Sequence, residues 1–333
     1  MVSRAKTIVA IATGDPSGIG PEISLKAALD PSVRAACNPI VVSDPMVVVR
    51  HSKACGIAAD LNVVAAIADA DWSRARVNVL ACEQPGAAQL DFGVSSAAGG
   101  RASLAFASAA IKAALMGWVD AVVAAPQNET SISLAGISFN GYPSFVARET
   151  GTDEDDVYLM LCFGDIKIVH ATLHQSITDA IAMITREKVG RVIDSADHAL
   201  KQLGVPKPNI VVGGLNPHAG EGWLSCREEI EIIKPAIETA AAKGIHVTGP
   251  FGVGAMFEMQ GVDAFIVMLH DQGHIAAKLL APNAIAAVTI GTPILFSSVA
   301  HGSAYDIAGQ GTANPQAMIE SVLQLSKTTL RVR

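Results

Sequence analysis

Three histidines follow apolar segments of this sequence in the same way, and their side chains could bind one metal ion. His174, His218 and His270 lie at the ends of the segments IKIVHATLH, NIVVGGLNPH and AFIVMLH. Each apolar run is typical of a buried parallel strand, and parallel α/β sheets place ligands outside the carboxyl ends of their strands. Neutral imidazoles that converge there would bind a divalent transition metal and leave positions open for a substrate. The wide spacing forms no short motif, so the alternative that each histidine only caps a loop stays open.

Other histidines fit this role less well. His170 lies on the same strand face as His174 and is the alternative that a ligand assignment must exclude. His274 follows His270 in the same segment, and we interpret it as a group that orients a ligand. Three further histidines lie in polar surroundings and are expected to be exposed: His51, His198 and His246.

Two charged residues close to His270 are candidate catalytic groups. Asp271 either orients an imidazole through a hydrogen bond or caps the next helix. Lys278 follows His270 by eight residues. A lysine beside a metal and apolar walls can have a lowered pKa and can then transfer a proton near neutral pH. The alternative for Lys278 is an ordinary solvated lysine.

Short apolar runs alternate with longer amphipathic stretches, and this alternation predicts an α/β fold that would position the histidines. The predicted strands cover residues 7–12, 39–42, 77–80, 121–124, 166–171, 209–212, 264–269 and 286–290. The predicted helices include residues 97–116, 176–202 and 228–243. Several strands are apolar on both faces, as in buried parallel sheets.

Composition excludes several classes of protein. The chain has 333 residues, which at about 150 residues per domain suggests roughly two domains. Half of the residues are hydrophobic and 17% are charged, which excludes a disordered protein. The net charge of −7, without a basic run, argues against nucleic acid as a partner.

The five cysteines are widely spaced and form no CxxC pair, so the sequence predicts a reducing compartment and neither a disulfide framework nor a thiolate zinc site. No stretch reaches the roughly 18 apolar residues that a membrane span needs. The short apolar run near the N-terminus is interpreted as a strand and not as a signal peptide. We therefore expect a cytoplasmic protein that does not bind membranes.

Two glycine-rich segments could contact a ligand. TGDPSGIGPEI, at residues 13–23, matches neither GxGxxG nor a Walker loop, and it is either a plain loop or a turn whose following helix amides face an anion. AHGSAYDIAGQGTANP, at residues 300–315, is small enough to wrap around a flat ligand. In that segment His301, Asp306 and Asn314 offer a ring, a hydroxyl acceptor and a partner for a base edge.

These segments carry a family resemblance. HGSAYDIAGQGTANP and GDPSGIGPE resemble the adenosine-binding loop and the glycine-rich opening of the isocitrate/isopropylmalate dehydrogenase superfamily. VVHATLHQSITDAI, GLNPHAGEGW and MLHDQGHIAAKLL resemble the 4-hydroxythreonine-4-phosphate dehydrogenase (PdxA) family, and the match extends over nearly the whole chain. The resemblance implies an NAD-linked, metal-dependent dehydrogenase of secondary alcohols, with NADP as an alternative cofactor.

The resemblance also implies a two-domain α/β fold with parallel or mixed sheets and an active-site cleft between the domains. Residues 1–130 with 275–333 would form the cofactor-side domain, and residues 131–274 the metal-binding and dimerisation domain. The family's three metal ligands fall on His174, His218 and His270, at the interface of a homodimer in which the partner chain supplies one ligand. Zinc, iron or another divalent ion would suit them. The cofactor-binding residues would be His301, Gly302, Ser303, Asp306 and Asn314.

Departures from the family pattern bear on the substrate. Several side chains that contact a phosphorylated substrate in the family correspond here to residues without positive charge: Glu129, Tyr142, Pro143, Ala287 and Phe296. Lys278 is kept, and Gly254 stands where the family has an aspartate. A phosphate group needs several charge-assisted donors, and each lost bond costs about 1.5–3 kcal/mol. The sequence therefore predicts weak binding of a phosphorylated substrate.

The same positions resemble the terephthalate dihydrodiol dehydrogenase branch of the family, through GYPS at residues 141–144, LLAPN at 279–283 and SSVAHGSAYDIAG. The resemblance implies oxidation of 1,2-dihydroxycyclohexa-3,5-diene-1,4-dicarboxylate to protocatechuate with loss of carbon dioxide. The expected substrate-binding residues are Tyr142, Pro143, Ser144, Lys278 and Phe296. Two alternatives stay open: a dehydrogenase of 4-hydroxythreonine 4-phosphate or another phosphorylated hydroxy acid, and a non-catalytic protein that binds metal or nucleotide.

Overall fold

The computed structural model describes residues 6–73, 76–220, 226–281 and 285–328. The strands in these ranges are numbered along the chain: β1 (Ile8–Ala12), β2 (Asn38–Ser43), β3 (Asp60–Val64), β4 (Arg76–Ala81), β5 (Ala121–Ala124), β6 (Tyr158–Phe163), β7 (Ile166–His170), β8 (Ile210–Gly213), β9 (Val247–Phe251), β10 (Ala264–Val267), β11 (Ala286–Ile290) and β12 (Leu295–Val299).

The α-helices are numbered in the same way: α1 (Gly20–Leu29), α2 (Pro31–Ala36), α3 (Pro45–Ala54), α4 (Ala97–Leu115), α5 (Glu129–Leu134), α6 (Tyr142–Thr150), α7 (Ile177–Met183), α8 (Arg186–Gln202), α9 (Lys234–Ala242), α10 (Val253–Met256), α11 (His270–Leu280) and α12 (Gln316–Ser326). A π-helical turn, Glu229–Ile233, precedes α9. The fold is therefore mixed α/β, as the alternation of apolar runs predicted.

The chain divides into two compact units. Unit 1 consists of Met1–Gly151 and Pro293–Arg333, and unit 2 of Thr152–Thr292. These boundaries differ from the predicted ones at 130/131 and 274/275. Helices α5 and α6 pack on α4 and so belong to unit 1, whereas β11 pairs with β6 and belongs to unit 2. Unit 1 is discontinuous in sequence.

Unit 1 contains a parallel sheet with the strand order β3-β4-β2-β1-β5-β12. Every residue of β1 and β5 is buried, because helices cover both faces of central parallel strands. Helix α4 begins at Ser96, whose hydroxyl accepts a hydrogen bond from the Gly99 amide at 3.0 Å. The small residues of α4 then pack against the sheet, with Phe106 wholly buried among them.

Unit 2 contains a mixed sheet with the strand order β11-β6-β7-β10-β8-β9. Strand β6 is antiparallel to β11 and β7, whereas β7, β10, β8 and β9 run parallel to one another. The carboxyl ends of β7, β10 and β8 therefore meet at one edge of this sheet. The loops that leave these three strands carry the predicted metal ligands.

All eight predicted strands are present, with ends that shift by up to two residues. The prediction did not include β3, β6, β9 and β12. Strands β3 and β9 lie at the edges of their sheets and contain exposed residues, and β9 includes Gly249 and Pro250, which are unusual in a strand.

The predicted helix at 176–202 is two helices, because Thr185 caps a new helix through the Lys188 amide at 3.1 Å.

One histidine prediction is wrong. His51 on α3 is wholly buried, whereas His198 and His246 are exposed as expected. The Nε2–H of His51 donates to the Pro16 carbonyl oxygen at 2.9 Å, and its ring meets the edge of Phe92. The local sequence suggested exposure because Arg50, Ser52 and Lys53 beside it are polar.

The five cysteines all lie in the described part of the chain and form no disulfide bond. Among the described helices, none combines the length and the apolar character that a membrane span requires.

Candidate active site

The three predicted metal ligands follow three neighbouring parallel strands of unit 2. His174 lies four residues after β7 and His270 three residues after β10, and their ring centroids are 5.5 Å apart. His218 lies beyond β8 on the other side of β10, and within the described residues its ring contacts neither of the other two. One chain thus brings two of the predicted ligands together and leaves the third apart.

Side chains from adjacent loops hold the His270 segment in place. The Thr172 hydroxyl donates to the Met268 carbonyl oxygen at 2.7 Å and joins the β7 loop to the β10 loop. The Gln272 amide oxygen accepts from the Met268 and Leu269 amides at 2.9 Å, and its nitrogen donates to the Gly214 carbonyl oxygen at 3.1 Å. Gln272 therefore caps α11 and also ties it to the β8 loop.

The loop that carries His218 is held by a buried carboxylate. Glu229 is 2% exposed, and one of its oxygens accepts from the Leu215 and Asn216 amides at 2.8 and 2.7 Å. The other oxygen accepts from the Asn216 side chain at 2.9 Å. His218 itself has a positive φ of 61°, which is uncommon for a residue other than glycine and occurs often at functional sites.

A hydrogen bond to Asp271 determines which nitrogen of His270 can bind a metal. The Nδ1–H of His270 donates to an Asp271 oxygen at 2.7 Å, which leaves a lone pair on Nε2. On its other side, the His270 ring stacks on the His274 ring with 3.7 Å between centroids and an angle of 11°. Asp271 therefore orients this imidazole, which is one of the two roles that the sequence left open.

Behind this stack lies His170, which is 1% exposed. Its Nε2 is 3.1 Å from Nδ1 of His274. Burial, with a smaller effect from neighbouring imidazoles, lowers the pKa of His170 to about 3 and that of His274 to about 4. Both rings are therefore neutral near pH 7.

The donor chemistry of this cluster fits a divalent transition metal, because neutral imidazole is a preferred ligand of such ions. Among the described residues, however, no three histidine, cysteine, aspartate or glutamate side chains are arranged to hold a metal ion. Within one chain, the His174–His270 pair therefore needs a further ligand before it can form a complete centre.

A pocket of about 480 Å³ lies beside His218, between the β8 loop and α10. Its described lining carries no lysine or arginine and consists of Leu215, Asn216, Pro217, His218, Gly252, Val253, Gly254, Ala255 and Gln272. No atom lies within 4 Å of the position that a Cβ of Gly254 would occupy, so the missing side chain leaves open space. Residues 221–225 of the GLNPHAGEGW segment and 282–284, which include the end of LLAPN, lie outside the described residues.

Lys278 lies in the last turn of α11, on the helix that begins with His270. Its side chain is exposed and makes no hydrogen bond or ion pair with the described residues. Its charge nevertheless reaches the cluster, because it contributes to the lowered pKa of His274.

Two of the predicted substrate contacts belong to the core of unit 1. Phe296 has no exposed surface, and Tyr142 is 8% exposed with its ring centroid 5.0 Å from that of Phe296. The Tyr142 hydroxyl donates to the buried Ala125 carbonyl oxygen at 2.7 Å. This packing contradicts a direct substrate contact for Tyr142 and Phe296. Pro143 and Ser144, in the first turn of α6, are half-buried.

The predicted cofactor residues lie on one loop of unit 1. His301, Gly302, Asp306 and Asn314 are exposed, and no atom lies within 4 Å of a Cβ built on Gly302. Ser303 is buried instead, and its carbonyl oxygen accepts from the Ile19 amide at 3.0 Å. The exposed part of the loop fits a ligand such as adenosine, whereas Ser303 anchors it.

The glycine-rich segment at residues 13–23 and α1 support this loop. The sequence did not predict this support. Glu22 is wholly buried and accepts from the Ala313 amide at 2.9 Å. Lys26 pairs with Glu22 at 2.7 Å and also donates to the carbonyl oxygens of Gly311 and Ala313 at 2.9 and 2.8 Å. The pattern of Glu22 and Lys26, four residues apart on a helix, was the available signal.

A second anchor joins the two glycine-rich segments. The Tyr305 hydroxyl donates to Asp15 at 2.8 Å and lies 3.0 Å from the Ser131 hydroxyl. Burial raises the pKa of Asp15 above its usual value and that of Tyr305 to about 12. Gly18 is needed here, because a Cβ would lie 2.8 Å from the Ser303 backbone oxygen. The segment at 13–23 is thus a scaffold for the loop.

A two-unit α/β chain with strand-end imidazoles and a separate candidate nucleotide loop is typical of a dehydrogenase. The family model described as "Pyridoxal phosphate biosynthetic protein PdxA" matches residues 35–325. The chain therefore belongs to the PdxA family. It is a dehydrogenase, as its relatives are named.

Three relatives of this chain are named for two different substrates, and two of them for the same dihydrodiol. The chain is 39% identical to a 1,2-dihydroxy-3,5-cyclohexadiene-1,4-dicarboxylate dehydrogenase from Comamonas sp, over 95% of this chain and 96% of the relative. A crystal structure of a terephthalate 1,2-cis-dihydrodiol dehydrogenase from Burkholderia xenovorans LB400 has 39% identity and a TM-score of 0.76, with 99% and 100% of the two chains covered. A crystal structure of a 4-hydroxythreonine-4-phosphate dehydrogenase from Burkholderia phymatum has 32% identity and a TM-score of 0.91, with 98% and 100% covered.

Proposed function

We propose that this protein oxidises 1,2-dihydroxycyclohexa-3,5-diene-1,4-dicarboxylate with NAD and releases protocatechuate and carbon dioxide. The observation that carries the proposal is the pocket beside His218, whose described lining contains no lysine or arginine. A phosphate dianion needs several charged donors around one group, whereas the dihydrodiol has its two carboxylates on separate ring carbons and its flat ring packs on uncharged walls of this kind. The 39% identity to a dehydrogenase of this dihydrodiol supports the same assignment.

The metal ligands in this proposal are His174, His218 and His270, in a homodimer whose partner chain supplies one of them. A divalent ion bound there would act as a Lewis acid toward the vicinal oxygens of the substrate. Asp271 keeps the Nδ1 proton of His270 and so directs Nε2 toward the ion. Gln272 and Thr172 hold the backbone of this segment, so the imidazole needs little reorganisation on binding.

The first chemical step is a dehydrogenation. Lys278, as the neutral amine, accepts the proton of the secondary hydroxyl, and NAD held by the loop at residues 301–314 would supply the acceptor for the hydride from the same carbon. His301, Gly302, Asp306 and Asn314 bind the adenosine end of the cofactor, with Ser303 as an anchor. Asp306 favours NAD over NADP if it contacts the ribose, because a carboxylate repels a phosphate at the 2′ position.

The second step breaks a carbon–carbon bond. The ketone formed in the first step lies next to the carbon that bears a carboxylate, so the product is a β-keto acid. Its carboxylate leaves as carbon dioxide, and the electron pair of the broken bond remains on the ring as an enolate. Together with the two double bonds already in the ring, this enolate is the aromatic catecholate, and a proton on its oxygen gives protocatechuate, so aromatisation drives the step.

Purified protein supplied with a divalent ion, NAD and the dihydrodiol should form NADH, protocatechuate and carbon dioxide in equal amounts. The matched comparison uses 4-hydroxythreonine 4-phosphate under the same conditions, since one solved relative carries that name. Comparable kcat/KM for the phosphorylated substrate would overturn the assignment and favour that second candidate. Formation of NADH without carbon dioxide would support the dehydrogenation and contradict the proposed decarboxylation.

A further inference from the structure

Two histidines behind the His270 imidazole have no part in the proposed reaction. His170 ends β7 and is 1% exposed, and His274 lies on α11 one turn after His270. The Nδ1 atom of His170 is 3.4 Å from the Leu159 carbonyl oxygen, and its Nε2 is 3.1 Å from Nδ1 of His274. The three groups form a chain of hydrogen bonds that leads from the sheet to the surface.

The hydrogen bond to Leu159 favours one arrangement of the protons in this chain over the alternative, in which Nε2 of His170 would donate to the backbone of His270. A carbonyl oxygen accepts hydrogen bonds and cannot donate them, so Nδ1 of His170 carries a hydrogen. His170 is buried and contacts no carboxylate among the described residues, so a second proton would place an unpaired charge in the interior. Its Nε2 is therefore an acceptor, and the hydrogen between the two rings belongs to Nδ1 of His274.

The fixed His274 ring faces His270. The two rings lie 3.7 Å apart and are nearly parallel, at 11°. The hydrogen bond to Asp271 orients His270 but does not hold the ring alone, because the Asp271 side chain is 74% exposed and exposed pairs contribute little. The face of His274 therefore determines the plane of the His270 ring.

Gly273, between His270 and His274, leaves the space that the contact between α11 and His170 requires. A Cβ on Gly273 would lie 2.3 Å from Nε2 of His170 and 2.8 Å from an Ile168 side-chain atom. Only glycine allows α11 to approach β7 closely enough for His274 to reach His170. The hydrogen bond between the rings thus depends on a specific local packing and not on a chance surface contact.

We infer that His170 and His274 are positioning residues that hold the His270 imidazole in one orientation, with its Nε2 lone pair exposed for a ligand. His170 sets the proton position and orientation of His274, and His274 sets the plane of His270 by stacking. The inference depends on the proposed function only for its consequence in metal binding. The orientation of His270 itself is a property of the metal-free chain.

The direct test is nitrogen-15 NMR of the metal-free, full-length protein with labelled histidine. The ring nitrogens should show the Nδ1–H tautomer for His170, His270 and His274, with signals assigned through single substitutions. An Nε2–H tautomer for His274, or an average of the two tautomers, would overturn the proposed chain. This measurement does not require turnover, so a failure of the proposed reaction leaves it unaffected.

Two substitutions of His274 separate stacking from metal ligation. His274→Phe keeps a flat ring, and His274→Leu removes it, while His198→Leu is a control on an exposed histidine. In His274→Leu we expect the His270 tautomers to average and the affinity for zinc to fall about 10–100-fold. In His274→Phe, which keeps the stacked ring but loses the hydrogen bond to His170, both properties should change less than in His274→Leu, and in the control they should stay as in the wild type.

Other outcomes of these zinc-affinity and NMR measurements would contradict the inference. Unchanged zinc affinity and an unchanged His270 tautomer in His274→Leu would show that the stack positions nothing. A loss of zinc binding in His274→Phe as complete as in His270→Leu would make His274 a ligand and not a positioning residue. The wild-type NMR spectrum still decides the proton order if a variant does not fold.

Discussion

Lys278 differs from the other charged side chains near the histidine cluster because no described residue restrains it. Asp271 is bound to His270, and Glu229 is bound to the loop before His218, so neither is free to move a proton during turnover. Lys278 lies exposed at the end of the helix that begins with His270. A mobile amine at this position can approach the reacting hydroxyl when substrate is present.

We predict that Lys278→Met lowers kcat by a factor of about 10²–10⁴, the usual contribution of a general base. The bound metal should be unchanged, because lysine is not among the proposed ligands. Steady-state kinetics and metal analysis of the same preparation check both statements. Lys207→Met, on an exposed lysine elsewhere in unit 2, is the matched control. A change in KM alone would reassign Lys278 to substrate binding.

His51 makes the stability of the protein depend on pH. Burial lowers its pKa to about 4, whereas an unfolded histidine titrates near about 6.5. As the pH falls below about 6.5, the unfolded chain takes up a proton that the folded chain refuses until about pH 4, so the folded state loses stability in this window. The loss approaches about 3 kcal/mol at the acid end, and above about pH 7 it vanishes.

We predict that His51→Gln, which keeps a donor for the Pro16 carbonyl oxygen, removes this part of the pH dependence. The free energy of unfolding, measured in urea at about pH 7.5 and about pH 5, should fall less in the variant than in the wild type by about 2 kcal/mol. His198→Gln, on an exposed histidine, should behave like the wild type. Equal losses in wild type and His51→Gln would show that another group dominates the acid response.

At the scale of helices and strands, hydrophobic periodicity predicted the elements that bury an apolar face. Strands β5 and β11 match their predicted bounds completely, and α4 ends one residue before its predicted end. Edge strand β3 was missed because Asp60 and Asn62 interrupt its apolar residues, and only Val64 of the five is buried. The break between α7 and α8 depends on a cap at Thr185, which the long helical pattern concealed.

The same difference between local sequence pattern and tertiary contact explains which residues of the candidate site could be predicted. Strand-end histidines were predictable because a parallel sheet fixes where its loops emerge. The roles of Gln272 and Glu229 were not, because their partners are backbone groups of loops distant in sequence. Phe296 was misassigned for a related reason: a replaced binding residue can become part of the core, as its 0% exposure shows.

Close helix packing gives a prediction at this scale. A Cβ on Gly100 in α4 would lie 2.2 Å from the Ser131 backbone oxygen in α5, whereas a Cβ on Gly190 in α8 would meet nothing within 4 Å. Gly100→Ala should therefore lower the free energy of unfolding by about 1–3 kcal/mol. Gly190→Ala should raise it by about 0.5–1 kcal/mol, because alanine favours the helix. Urea denaturation of both variants checks the pair, and equal effects would contradict the packing argument.

At the scale of the whole molecule, the incomplete ligand set within one chain favours the homodimer that we propose. His174 and His270 approach each other, and His218 stays apart in the described structure. The helix that carries His270 also exposes large apolar side chains, namely Ile275 at 57%, Leu279 at 78% and Leu280 at 62%. A patch of this kind is typical of a surface that a partner covers.

Subunit complementation tests whether two chains build one site. His218→Ala and His270→Ala should each be inactive alone, because each removes a proposed ligand from every site. If these two ligands come from different chains, a mixed dimer keeps one intact site of two. Random reassociation of equal amounts of the two variants should then restore about a quarter of the wild-type activity and of the tightly bound zinc. Each variant, dissociated and reassociated alone, provides the control.

Absence of recovery, with mixed dimers demonstrated by a tag on one variant, would place His218 and His270 in the same site from the same chain. That result would require a conformational change within unit 2 to bring the two loops together.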